Sequence, residues 1–137
     1  MKHLYIDANG FATFVEGSDD TLTDMQTMVD GLIEYHPCVR EASGMDCWVN
    51  EEGGLRRDFQ PNLVASVETG LALRGSAVIS RSNAEGETTG LTDEDVQLWQ
   101  KLIDIDDVSR PIAAIAELHE IRKIEYRQAF LTETSNN

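Results

Sequence analysis

Apolar and polar positions change period along the chain, and each change marks an element. The chain opens on two short runs, Lys2–Asp7 and Phe11–Gly17, separated by Ala8-Asn9-Gly10. Leu4 and Ile6 alternate with His3, Tyr5 and Asp7, while Phe11, Thr13 and Val15 alternate with Ala12 and Phe14. This alternation predicts a β-hairpin, with Asn9-Gly10 supplying the positive-φ residues of a tight turn. Apolar groups on both parities imply that part of the sheet is covered on both faces. The period then lengthens. Leu22, Met25, Met28, Val29 and Leu32 recur at three- and four-residue spacing, the stripe of a helix. Asp20 or Thr21 caps it, Asp24 sits in its first turn and Gly31 marks its end.

Leu32–Val39 and Met45–Asn50 read as two further strands, joined by Arg40-Glu41-Ala42-Ser43-Gly44. Placing Val39 opposite Met45, Pro37 opposite Cys47 and Tyr35 opposite Val49 gathers their apolar groups on one face, and register follows the buried face. Cys38 and Cys47 would then lie on opposite faces. Pro37 puts its strand at an edge or at its own end. Residues 61–75 predict a second helix, capped by Asn62, with Leu63, Val67 and Leu71 sharing a face, Val64 at its margin and Gly70 marking an early end. Residues 76–82 form a short strand and 83–90 a polar loop. In 91–105, Thr92 caps a helix whose first turn holds Asp93, Glu94 and Asp95 and whose stripe is Val96, Trp99, Leu102 and Ile103.

After a break at 106–110, a long last helix is expected to start near Pro111. Ile112, Ile115, Leu118, Ile121 and Ile124 recur every three residues. At 3.6 residues per turn such a row drifts around the helix. It therefore needs more than one neighbour, its own domain on one side and a second copy of the chain on the other. These five residues are the candidate partner or dimer surface.

Composition adds one unusual fact. The 137 residues carry 25 Asp plus Glu against 11 Lys plus Arg, a formal net charge of −14. Length fits a single domain able to bury one core. The acidity argues against direct nucleic-acid binding, which rests on phosphate neutralisation by basic groups, and against an anionic membrane surface. Two readings of the charge stand: a soluble acidic surface, or a surface that imitates the phosphate rows of DNA. No apolar run approaches the roughly 18 residues of a transmembrane helix. The start, Met-Lys-His-Leu-Tyr-Ile-Asp, lacks a signal-peptide core, so a cytoplasmic location is expected.

Candidate chemistry is sparse. There is no phosphate-binding Gly-Lys-Ser/Thr loop and no Gly-x-Ser-x-Gly elbow. His3, His36 and His119 stand apart, with no further His or Cys at ligand spacing. Cys38 and Cys47, the two cysteines, read as reduced core residues. Asp104, Asp106 and Asp107 resemble half a calcium loop but lack its Gly and its distal Glu. Glu51 and Glu52 are neighbours, which on a strand point to opposite sides. Bases are scarce before residue 70, so Arg56 and Arg57 stand out. With Arg40 and Arg74 they could form an anion site for a phosphate or a small nucleotide. No metal or cofactor is expected, and an enzyme is not.

Met25–Tyr35, then Asp46–Leu55 and Gln60–Ser66, in this order, resemble a family of small proteins of unknown function common in bacteriophages and mobile elements, domain of unknown function 3846. The shared features are a short helix ending in Gly before an Ile-Glu strand, a Val-Asn-Glu-Glu-Gly strand end and a Pro-Asn helix start. Gly75–Arg81 and Gly90–Val96 also match. The likeness covers roughly residues 1–100 and departs at Asp30, where the family often has a second Gly. It implies a phage-type accessory protein in a host bacterial cytoplasm and carries no reaction or catalytic residues.

The expected fold is α+β, in the order ββαββαβαα, with an antiparallel or mixed sheet of about five strands backed by helices. Residues 1–108 would form the domain and 109–137 a helical extension with a frayed tail. The leading functional expectation is a non-enzymatic accessory protein that binds a host protein or defence component. The alternatives are an acidic DNA mimic that inhibits a DNA-binding host protein, and a sponge for a small anionic nucleotide signal.

Overall fold

The computed structural model describes residues 1–9 and 11–103. Its elements run β1 (Lys2–Ile6), β2 (Ala12–Glu16), α1 (Thr21–Val29), β3 (Ile33–Pro37), β4 (Asp46–Asn50), α2 (Leu63–Thr69), β5 (Ala77–Ser80) and α3 (Asp93–Ile103). The five strands form one open antiparallel sheet in the order β2-β1-β5-β4-β3. The fold is α+β, and the element order is the expected one as far as α3. The expected C-terminal helix, with Ile112, Ile115, Leu118, Ile121 and Ile124, and the boundary after residue 108 lie outside the described residues.

The central strand β5 is buried along its whole length, because both of its faces are covered. Leu4, Ile6, Cys47, Val49, Ala77 and Ile79 pack on one face with Ala65 of α2 and Trp99 of α3. Val78 packs on the other with Met25 and Val29 of α1, flanked by Met28, Ile33 and Trp48. Each buried Leu, Ile, Val or Met among these stabilises the fold by about 1.5–3 kcal/mol. The α1 stripe is narrower than its spacing predicts. Leu22 and Leu32 stay mostly exposed, because the nine-residue helix meets the sheet only through Met25, Val29 and part of Met28.

Helix α1 is capped by Asp20, whose carboxylate accepts from Thr23 N at 3.1 Å. It ends with Asp30 in the left-handed conformation (φ 61°). That is the position where the resembled family often has Gly, the residue for which positive φ costs least. The β1–β2 loop is organised by Asp7, whose carboxylate accepts from Asn9 N and Phe11 N, a local bond of the Asx-turn type.

Helix α2 buries only part of the expected face: Val67 is buried, while Leu63 is half-buried. It stops at Gly70, as the sequence suggests, which leaves Leu71 beyond the helix and partly exposed. Ala65, Ser66, Glu68 and Thr69 are buried as well. The two hydroxyls are satisfied by carbonyls one turn back, Ser66 Oγ on Asn62 O and Thr69 Oγ1 on Ala65 O. Helix α3 carries the expected Thr92 cap, reinforced by reciprocal bonds between Thr92 and Asp95. Asp95 is buried and also takes a two-pronged contact from Arg81 at 2.7 and 2.8 Å, while Arg81 reaches Gly44 O. This ties the start of α3 to the end of β5 and to the β3–β4 turn.

The expected register of β3 on β4 is wrong by one residue. Tyr35 lies opposite Trp48, His36 opposite Cys47 and Pro37 opposite Asp46. β4 is buried on both faces, so apolar matching could not choose between registers. The turn chooses. Ser43 N donates to Arg40 O, Met45 N to Ala42 O and Cys38 N to Met45 O. Buried Ala42 gives its N–H to the Glu68 carboxylate at 3.0 Å. As a result Cys38 and Cys47 lie on the same face, in one cluster, both as free thiols. Burial pushes the Cys38 thiol up to about 12 and Cys47 well above its ordinary range.

Candidate functional site

The family-like stretch from Asn50 to Asn62 is built around two buried asparagines. At the end of β4, Asn50 donates Nδ2 to Val29 O (3.1 Å) and Asp30 O (2.9 Å), the orphan carbonyls at the end of α1. Its Oδ1 accepts from Glu52 N and so begins the following turn. Gly31 leaves the room this needs: a Cβ there would sit 2.5 Å from Asn50 Nδ2. A Cβ at Gly53 would come within 3.1 Å of both Arg74 O and Asn50 O. Twelve residues on, Asn62 caps α2 through Oδ1 on Ala65 N and spends Nδ2 on Ile6 O and Gly75 O. The motif is thus a set of structural clasps. Only the Asn62 cap was read from the sequence. For Asn50, a strand-ending Asn followed by Glu-Glu-Gly was the available signal.

These clasps hold open a groove of about 390 Å³ beside β3 and β4, lined by Glu34, His36, Val49, residues of the 50–55 turn and Leu71–Arg74. Its floor is the β3–β4 ladder. Its walls are the 51–55 turn and the loop after α2, which the Pro61–Arg74 bridge and the Asn62 N to Leu73 O bond fix in place. Leu55 is 84% exposed and Leu71 44%. Glu34 and His36, two residues apart on β3 and therefore on one side, approach to 3.5 Å.

The structure separates the predicted anion-binding arginines. Arg56 is held by Asp58 at 2.7 Å and approaches Asp30 at 3.5 Å, with its guanidinium 4.0 Å above the Phe59 ring. Those bonds raise its pKa and lower that of Asp58. Arg57 is exposed in the same loop, and Arg74 lines the groove. Arg40 lies in the β3–β4 turn at the other end of the strands, a β4 length away, about 17 Å.

The groove holds an imidazole beside a carboxylate and a ring of apolar and backbone groups. The nearby Cys38 is buried and its thiol is held protonated by that burial. Among the described residues no cluster of His, Cys, Asp and Glu could hold a metal ion. No described helix is long and apolar enough to cross a membrane. This lining suits an extended chain segment: apolar surface for side chains and a polar rim for orientation.

No curated protein and no solved structure matches the chain. A family model does, described as a domain of unknown function (DUF3846), over residues 1–104. That span takes in every described element and all of the asparagine clasps, and the chain belongs to this family.

Proposed function

We propose that the chain is a non-enzymatic accessory protein of the phage or mobile-element type, acting in the host cytoplasm by binding a host protein, and that the β3–β4 groove receives a segment of that partner. The observation that carries the reading is a pair of exposed leucines brought together in the groove from two separate segments. Of the eight large hydrophobics exposed among the described residues, Leu55 and Leu71 come together in the groove, from the turn after β4 and from the loop after α2. Gathering of this kind marks interaction surfaces, whereas scattered single residues do not. The test is co-purification from infected cells with the parent chain and a Leu55→Arg/Leu71→Arg variant. A partner captured by the parent and lost by the variant, with unfolding midpoints unchanged, supports the proposal. A partner retained at equal yield by the variant refutes the groove as the site.

The DNA-mimic reading has an observation of its own. Exposed Glu16, Asp19, Asp20, Glu85, Glu87 and Glu94 lie at one end of the sheet, and exposed Asp30, Glu51, Glu52 and Asp58 lie at the other among Arg56 and Arg57. A cationic DNA-binding partner would be held there with an affinity that falls steeply with salt. Titration at 50 and 300 mM salt distinguishes the two, because groove binding is carried by apolar contact and changes little. The nucleotide-sponge reading ranks third, since an anion would have to displace Asp30 and Asp58 from Arg56.

A further inference from the structure

We propose that β3 pairs with β3 of a second copy, antiparallel about Tyr35, to join two five-stranded sheets into one. The proposal stands apart from any host partner and from the C-terminal isoleucine row. β3 is an edge strand. Glu51 N donates to Leu32 O and Cys38 N to Met45 O, so even-numbered backbone groups turn toward β4. By alternation, the N–H and C=O groups of Ile33 and Tyr35 and the carbonyl of Pro37 face outward.

The side chains choose the occupant and the register. Centred on Tyr35, the pairing engages all five residues of the strand. It sets Glu34 opposite His36 of the second copy, and His36 opposite the second Glu34, so unlike groups meet twice. Shifting the centre to residue 34 sets Glu against Glu, and shifting it to residue 36 sets His against His and drops Ile33. On the opposite side of the sheet, Ile33 meets Pro37 and Tyr35 meets Tyr35. Tyr35 is 47% exposed and already packs on Trp48 with ring centroids 5.3 Å apart. The dimer would extend this pair into a row of four aromatic rings. Pro37 has no N–H to give, so about four backbone hydrogen bonds bridge the axis.

Two consequences follow from the geometry. Glu34 and His36 line the groove, so the two grooves meet across the axis and become one continuous surface on one face of the joined sheet. Each protomer carries a formal −14, so screening by salt strengthens the association.

The experiment is sedimentation equilibrium of the full chain at two salt concentrations, together with oxidation of a Tyr35→Cys variant. In the proposed register the two residues at position 35 form a hydrogen-bonded pair with Cα atoms about 5.5 Å apart, a separation a disulfide spans. The expected result is a dimer that tightens with salt, cross-links through Tyr35→Cys and does not cross-link through Glu34→Cys. His36→Glu, which opposes four carboxylates in two like-charge pairs, weakens it about tenfold, and Glu34→Lys/His36→Glu restores it. A chain monomeric to millimolar concentration overturns the proposal. So does a dimer indifferent to His36→Glu and without the Tyr35→Cys cross-link. Unfolding midpoints equal to the parent's at concentrations where the parent is monomeric show that each variant retains the fold.

Discussion

Replacing Asn62 separates two jobs that one buried side chain performs. Its Oδ1 caps α2, and its Nδ2 ties Ile6 O of β1 to Gly75 O ahead of β5. The residue is fully buried, so water cannot replace the lost partners. Asn62→Ser keeps the cap and loses two hydrogen bonds, each worth about 0.5–1.5 kcal/mol, a cost of about 1–3 kcal/mol. Asn62→Ala loses the cap as well, about 1 kcal/mol more. Asn62→Asp keeps the cap but turns a carboxylate oxygen onto two carbonyl oxygens with no cation in place. It should cost more than Ser, about 3 kcal/mol or beyond. Burial would also raise the folded-state pKa of the new Asp, so Asn62→Asp should regain stability as pH falls through that value toward the unfolded one. Urea unfolding at pH 7 and pH 5 measures both effects. An Asp variant within about 0.5 kcal/mol of the parent, or a Ser variant as costly as Ala, would refute the division of labour.

Three further outcomes are expected. Asp30→Gly relieves a left-handed conformation at the end of α1 and gives up only an exposed 3.5 Å pair with Arg56, so it should raise stability by about 1 kcal/mol in the same assay. The buried Glu68 carboxyl, raised above its ordinary 4.5 chiefly by desolvation, binds its proton more tightly in the folded state. Stability should therefore rise as pH falls from its folded pKa toward 4.5, and Glu68→Gln should reduce that rise. At lower pH the trend reverses, because Asp95, held below 3.8 by its hydrogen bonds with Arg81, loses its contribution when protonated. Cys38 and Cys47 should resist alkylation at pH 8 in the native state and react at the rate of unfolding. Rapid labelling of either thiol in the folded protein would contradict the burial that raises their pKa values.

The elements legible in the sequence are those whose signals are local. The Asp20, Asn62 and Thr92 caps, the stop at Gly70 and the β1–β2 hairpin all depend on residues within a few positions of one another. The β3 register is not local. It is selected by a turn whose Ala42 N–H finds the Glu68 carboxylate 26 residues away. The face of α2 was read only in part, at Val67, because the rule sought large apolar residues. A short helix close to the sheet also buries Ala, Ser and Thr, and hydroxyls that bond to their own helix bury at little cost. The groove was invisible for the same reason. Its Glu34–His36 pair, its 51–55 turn and its 71–74 wall come from three separate segments.

Alone, the sequence determined the element order, the helix caps, the two-sided sheet and the acidic surface, and it placed the chain among its relatives. Those properties follow from periodicity and composition, which act over a turn of helix or a few strand residues. Tertiary structure decided which asparagines clasp the fold, which face each thiol shares, where each arginine lies and which strands form the edges of the sheet. Each of these depends on hydrogen-bonding groups far apart in the chain that must find partners once water is excluded.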